Sequence, residues 1–389
     1  MKISLGREEL LTVLQAVVSV VEKRQTQPIL SNVLITVGDG ELVMTGSDLE
    51  VEVTGKAKAQ IDKRGTTTIP GRKLLDICKS LPAQAVIVIE DKDGKIRIQS
   101  GRSRFVLTTL AASDFPSISF AKEQNKFEVD SEILRDLLTY TQFAMAHQDV
   151  RYYLNGLLLE ISTGMIRAVA TDGHRLALCE RDISTGIQEP CQTIIPRKGV
   201  SEIQRLISHA SGPIGVEISH SFIRLSHENQ IVTVKLVDGK FPDYERVVPA
   251  TGTKNILVGR ETIRAALQRT SILSNEKFRG VRLMLANGVM TAAAHNPEQE
   301  EAEEEFEIDY VGDSLEIGFN VSYLLDVLGV LSAETVRIEL SDSNSSCLIQ
   351  DPSDERAKFV VMPMRLWATA NPKSCSACPF NDHYKCASC

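Results

Sequence analysis

The sequence repeats itself at long range. Three segments align without a gap at one offset: LSNVLITVGDGELVMTGSD at 30–48, LNGLLLEISTGMIRAVATD at 154–172 and FRGVRLMLANGVMTAAAHN at 278–296. The offset is 124 residues both times, so each unit has the size of an ordinary domain. In each segment apolar residues alternate: Val33, Ile35 and Val37, then Leu157, Leu159 and Ile161, then Val281, Leu283 and Leu285. Period two is the signature of a half-buried strand. Each run reaches a glycine, Gly40, Gly164 or Gly288, and continues into a second strand, which reads as one hairpin repeated three times.

The flanks repeat as well. Upstream of each hairpin, residues 6–24, 131–146 and 259–274 carry apolar side chains at helical spacing, as at Leu10, Leu14, Val17, Val18 and Val21. Downstream, residues 71–81, 196–207 and 320–331 do the same. The pattern predicts an α+β chain of three tandem similar domains, at 1–123, 124–252 and 253–366, each with two helices covering one face of antiparallel strands. Domains repeated end to end bend the chain one way, with a helical face and a sheet face, and such an arc can close into a ring when two copies join head to tail.

Composition narrows the function class. With 389 residues, 43% hydrophobic and 24% charged, the chain has the composition of a soluble globular protein. It contains no apolar run of about 18 residues or more, and MKISLGREEL has charges where a signal peptide needs an apolar core. A cytoplasmic protein with no membrane association is expected. The net charge of −8 argues against a simple basic nucleic-acid-binding module but permits a basic inner surface within an acidic shell. Cys78, Cys179, Cys191 and Cys347 are scattered, as small buried hydrophobes would be.

The stretch TDGHRLALC at 171–179 places Asp172, His174 and Cys179 close together in sequence, the parts of a nucleophilic site. The repeat argues otherwise. The offset that yields Asp172 also yields Asp48 and Asn296, while His174 aligns with Glu50 and Glu298. A short polar residue recurring at a strand end is expected to cap the turn after the hairpin, and no catalytic residue or cofactor is expected.

Nine stretches carry a family resemblance: PILSN (28–32), GRSRF (101–105), AHQDVRYYLNG (146–156), TDGHRLA (171–177), KLVDGKFPDY (235–244), ILSNEKFRGVRL (272–283), NPEQEEAEE (296–304), GFNVSY (318–323) and VVMPMRL (360–366). On them the chain resembles the β subunits of bacterial DNA polymerase III, the sliding clamps, over residues 1–366. The resemblance implies a head-to-tail dimeric ring with helices inside and sheets outside, encircling double-stranded DNA without reading its sequence. It also implies that the ring tethers the DNA polymerase III catalytic subunit, the clamp loader, and other polymerases and repair proteins through short peptides.

Duplex DNA carries one negative charge per ~1.7 Å of axis, so a loose lining needs scattered cations rather than base readout. The helical segments supply Arg7, Lys23, Arg24, Arg72, Lys73, Lys79, Arg197, Lys198 and Arg205. The resemblance adds Gln148, Tyr152 and Tyr153 as DNA contacts and includes Arg24 among them. Tyr152 and Tyr153 also fit the pattern of packed aromatics, so their DNA role rests mostly on the resemblance.

The run EQEEAEEEFE at 298–307 reads alone as a charge-protected edge strand. The resemblance makes it a dimer edge, with Arg102 and Arg104 facing Glu301 and Glu304 and with Phe105, Leu107, Ile272 and Leu273 as the apolar part. It also implies a peptide groove between the second and third domains. The positions matching that groove are Leu154, Thr171, Gly173, His174, Arg175, Leu176, Pro242, Arg246, Val247, Phe278, Asn320, Tyr323, Ser346, Val360, Val361, Met362, Pro363, Met364 and Arg365. Asn344 stands where the family pocket is apolar. A mostly apolar set with a polar rim suits a peptide anchored by Leu or Phe side chains.

Residues 367–389 continue past the resemblance. Cys375, Cys378, Cys386 and Cys389 form two C-x-x-C pairs with His383 between them. These are zinc-ligand types, although the spacer is short and the stretch has little apolar content. A metal site, which would make the tail a nucleic-acid binder in its own right, a disordered extension and residues foreign to the protein are the alternatives. An extension from this strand could also cover the groove in cis.

Overall fold

The computed structural model describes residues 1–22, 27–120, 125–249 and 252–365. Arg24 and the whole cysteine-rich tail therefore lie outside the described residues. Within them, six α-helices run at α1 (Arg7–Val17), α2 (Gly71–Ser80), α3 (Ser131–Thr141), α4 (Arg197–Ile207), α5 (Arg260–Thr270) and α6 (Val321–Val330). Each follows a strand without a gap. Two begin on a side-chain cap: Asp130 accepts the Glu132 N–H at 2.8 Å and Asn320 accepts the Ser322 N–H at 2.9 Å.

The helices pack in pairs, α1 with α2, α3 with α4 and α5 with α6. Each presents one apolar stripe to the strands. In α1 the stripe is Leu10, Val13, Leu14 and Val17, and in α4 it is Val200, Ile203, Leu206 and Ile207, spacings of three and four that keep one side of a helix inward. Together with the inward strand residues they form one buried cluster through all three domains.

All strand pairings are antiparallel, and the sheets do not respect the repeat boundaries. One five-stranded sheet lies at the N-terminal end and ends on the strand Ser103–Thr108; one four-stranded sheet at the other end finishes on Glu301–Glu307. Between them lie two eight-stranded sheets, each built from half of one domain and half of the next. The first is joined where Val51–Lys58 pairs with Gln230–Lys235, Val51 opposite Val234. The second is joined where Arg175–Asp182 pairs with Asp354–Val361, Arg175 opposite Val361. The backbone hydrogen bonds of a central strand thus cross each internal domain boundary, and Ser103–Thr108 and Glu301–Glu307 each form one edge of the two outer sheets.

The three hairpins form as the repeat predicts, but their turns differ. Asp39 and Gly40 both take positive φ, 52° and 82°, the type I′ geometry that matches strand twist. Gly288 has φ of 74°, whereas Gly164 stays out of the left-handed region. The capping residues behave as the repeat demands. Asp48 Oδ1 accepts the N–H groups of Glu50 and Val51 at 2.9 and 2.7 Å. Asp172 Oδ1 accepts those of His174 and Arg175 at 2.9 and 3.0 Å. Asn296 Oδ1 accepts the Glu300 N–H at 2.9 Å across a longer turn.

Candidate functional site: a groove between the second and third domains

A second apolar cluster lies apart from the main core. It comprises Ala146, Leu154, Leu158, Val169, Leu176, Leu178, Ile194, Phe241, Tyr244, Leu348 and Val360, with Tyr153, Val237, Val247 and Val248 at its margin. Leu158, Val169, Leu176, Leu178, Ile194 and Val360 come from the strands of the second shared sheet, on the face away from the main core. The linker at 237–249 crosses that face and contributes Phe241, Tyr244, Val247 and Val248.

The linker is pinned by a polar network. The Tyr244 hydroxyl donates to Glu160 Oε2 and accepts from Arg167 Nη1 at 2.7 Å. Arg167 Nε donates to Glu180 Oε2 at 2.8 Å, and Gln192 Nε2 donates to Glu160 Oε1 at 2.6 Å. Burial, reinforced by the Glu160 carboxylate, pushes the Tyr244 hydroxyl well above its ordinary range. This network was missed in the sequence. Its signal was present, since Glu160, Arg167 and Glu180 fall on the same strand faces as Leu158, Val169 and Leu178.

At the other end the wall is built around Arg175. Its guanidinium lies 4.5 Å from the Tyr323 ring centroid and 5.3 Å from that of Phe143. Nη2 donates to the Phe143 carbonyl at 2.8 Å, Nε donates to Asp172 at 3.1 Å, and Nη1 donates to Asp326. The His174 ring stacks on Tyr323 at 6.5 Å. Met362 N–H donates to the His174 carbonyl at 2.9 Å and Met364 N–H to that of Gly318 at 2.8 Å, so the chain beyond Val361 is stitched to both domains. Thr171 Oγ1 accepts the Gly173 N–H at 3.1 Å. Gly173 itself has φ of 88°, a left-handed conformation that favours glycine.

The expected groove residues therefore form a graded set. Leu154, Leu176, Val360 and Val361 are buried, and Val361 packs in the main core rather than on the groove face. His174, Pro242, Arg246, Phe278 and Arg365 are exposed, and Thr171, Gly173, Arg175, Val247, Asn320, Tyr323, Ser346, Met362, Pro363 and Met364 are intermediate. Phe278 lies on the loop whose Arg279 carbonyl accepts the Val321 N–H at the start of α6. Asn344 sits exposed on the turn before Cys347, its N–H bound to Asp342 Oδ1 at 2.8 Å.

The thiol in TDGHRLALC is not part of a reactive pair. Cys179 is fully buried, and burial pushes it up to about 12. It lies five residues along an extended strand from His174, roughly 16 Å away on the opposite face.

Three families cover nearly the whole chain in order. Residues 1–119 match the N-terminal domain of DNA polymerase III β subunits, 128–243 the central domain and 245–365 the C-terminal domain. The chain belongs to the β sliding clamp family. It is 51% identical to the β sliding clamp of Pseudomonas aeruginosa and 47% identical to that of Escherichia coli, each over 94% of this chain and all of the relative. A crystal structure of the P. aeruginosa DNA polymerase sliding clamp with ligand superposes with a TM-score of 0.92, and the Caulobacter crescentus pol III β structure does so with 0.90 at 38% identity, each covering 94% of this chain and all of the other. Sliding clamps are processivity factors of DNA replication, and that is the function class of this chain.

In this clamp the expected DNA-facing cations are unequal. Arg72, Lys73 and Lys79 on α2 are exposed. Arg197 is half-buried and donates to the carbonyls of Met145 and Ala146 at 2.6 and 3.1 Å; burial, with Arg175 nearby, lowers it from its ordinary value. Lys198 reaches from α4 back to Asp48 and Glu22 of the first domain, and Arg205 pairs with buried Glu202 at 2.9 Å. Lys198 clasps two domains, so its charge is already compensated. Gln148 takes the left-handed conformation at φ 55°, and Tyr152, 57% exposed, packs edge-on against Tyr153 at 5.7 Å. Their loop is braced by Arg151 against Asp149, whose carboxyl is held down to about 2 by hydrogen bonds from Arg151.

The edge strands Ser103–Thr108 and Glu301–Glu307 carry opposite charge. Arg102 and Arg104 are exposed, with Phe105 and Leu107 half-buried between sheet and solvent. Glu301, Glu303, Glu305 and Glu307 are exposed on the other edge, and Ile272 is 76% exposed beside half-buried Leu273. Glu304, expected on this edge, is half-buried and on the helix side, where Arg269 of the same chain donates to it at 2.6 and 3.1 Å. Period two sets Glu304 on the face of Ala302 and Phe306, so the outward acids are its neighbours.

Proposed function

We propose that two copies of this chain join head to tail through Ser103–Thr108 and Glu301–Glu307 to form a ring around duplex DNA, and that the groove binds short peptides of its partners. The supporting observation is a pair of edge strands, one basic and one acidic, on the two outer sheets of a chain whose internal junctions are continuous sheets. Opposite charges favour head-to-tail pairing and disfavour like-edge pairing. Arg72, Lys73 and Lys79, with Arg24 outside the described residues, and Gln148, Tyr152 and Tyr153 would meet the phosphate backbone without reading bases. The groove would take Leu- or Phe-anchored peptides of the DNA polymerase III catalytic subunit, the clamp loader, and other polymerases and repair proteins. Met362 and Met364 can repack around different anchors. We place the three domains at 1–123, 124–252 and 253–366 and the protein in the cytoplasm; no helix among the described residues is long and apolar enough to cross a membrane.

Retention on circular against linear duplex tests the ring. A topological clamp loaded on DNA stays on a closed circle and slides from an open end. A monomer in solution that leaves both DNAs equally fast would sink the reading.

A further inference from the structure

The face that carries the groove changes character along its strands. On Asp354–Val361 the residues on that face are Val360, Lys358 and Arg356. Leu176 stands opposite Val360, and Leu178 stands opposite Lys358. Val360, Leu176 and Leu178 belong to the groove's apolar cluster, so Lys358 sits one step beyond its floor. Past it, a cleft of about 480 Å³ opens between Tyr244, Val248 and Pro249 of the linker and Glu355, Arg356 and Lys358 of the strand. That volume lies within the range of small-ligand pockets, roughly 300–1,000 Å³. Leu178, Tyr244 and Val248 line the cleft and also belong to or border the apolar cluster, so the cleft adjoins the same cluster as the groove residues.

The other cations around this cleft already have carboxylate partners. Arg167 bonds Glu160 and Glu180 and stands 3.6 Å from Glu245. Arg356 pairs with Asp182, and Glu355 pairs with Arg337 at 3.0 Å. Lys358 is half-buried, and among the described residues no carboxylate lies within ion-pair distance of it. A partly desolvated ammonium next to apolar side chains, open to solvent on one side, is a receptor for an incoming carboxylate.

We propose that this cleft extends the peptide groove and takes acidic residues flanking the apolar anchor of a partner peptide, with Lys358 as the recognising cation. The proposal rests on the groove reading above. The test uses fluorescent peptides that share one Leu/Phe anchor and carry two glutamates, two glutamines or two lysines on either side of it, titrated against the full-length dimer and its K358Q and K358E variants. The glutamate-flanked peptide should bind about three- to fivefold more tightly than the glutamine-flanked one, the range of a single partly exposed ion pair. The gain should vanish in K358Q, reverse in favour of the lysine-flanked peptide in K358E, and fade at high salt. The glutamine-flanked peptide should bind all three proteins equally. Equal binding of glutamate- and glutamine-flanked peptides to the unsubstituted protein, a comparison that needs no variant to fold, overturns the extension and leaves the groove standing. A glutamate preference that survives in K358E overturns the role of Lys358. Failure of the glutamine-flanked peptide to bind at all removes the groove reading and the extension with it.

Discussion

Replacing Arg175 with alanine strikes the joint between the second and third domains. The side chain is only 12% exposed, and it reaches Asp172, Asp326, the Phe143 carbonyl and two aromatic faces. The charge-assisted hydrogen bond to Phe143 O contributes about 1.5–3 kcal/mol. The guanidinium over the Tyr323 ring adds about 0.5–2 kcal/mol. Asp326 is 47% exposed, so its pair is screened and contributes at most about 1 kcal/mol. Asp172 keeps its two backbone donors and is not left stranded. The expected loss is about 3–5 kcal/mol, the range for breaking a buried ionic contact. Arg175→Lys keeps the charge but loses the planar fork, and should recover about half of it. Equilibrium denaturation followed by circular dichroism reads both variants against the unsubstituted chain. A loss under about 1 kcal/mol for Arg175→Ala would mean that the contacts are individually weak and that the shared sheet alone holds the joint.

Four further outcomes are expected. Glu52 is half-buried and its carboxyl raised by desolvation, with Ile118 N–H donating to it at 3.1 Å; its ionised form therefore costs stability, and its own contribution is fully present below its ordinary value near 4.5 and is lost as pH rises through the raised value. Glu52→Gln should then raise the melting temperature at pH 8 but not at pH 3, and an equal effect at both would contradict this. Charge reversal at Arg102 and Arg104 together should shift the dimer towards monomer in sedimentation, and added Glu301→Arg and Glu303→Arg changes should restore it. Cys179, at about 12, should resist alkylation at pH 8 in the folded protein and react after unfolding; rapid labelling of the native protein would refute its burial. His174→Ala with Leu176→Ala should weaken partner peptides while leaving the dimer intact, and unchanged affinity would exclude these residues from the groove.

The hairpins and all six helices were legible because their apolar residues follow periods of two and 3.6 within a short window. The turn caps were legible because Asp48, Asp172 and Asn296 recur at one offset. The sharing of sheets across domains was not, since the pairing of Val51–Lys58 with Gln230–Lys235 joins strands far apart in sequence with no local mark. For the same reason, the sequence identified Lys198 as a cation but hid Asp48 and Glu22 as its partners, and it placed Glu304 at the edge without revealing Arg269. Charge type is written in one residue, whereas charge compensation depends on two.

The capped turn after each hairpin explains how three copies of one domain could diverge. A single side-chain oxygen at Asp48, Asp172 or Asn296 holds the backbone, so the side chain two places on carries no duty in forming the bend. That place holds Glu50, exposed, in the first copy; His174, stacked on Tyr323, in the second; and Glu298, just before the acidic edge strand, in the third. Each copy could therefore acquire a different fitting without refolding, as interchangeable tools share one handle. A chain assembled in this way changes its contacts by editing one position per copy while its architecture stays constant.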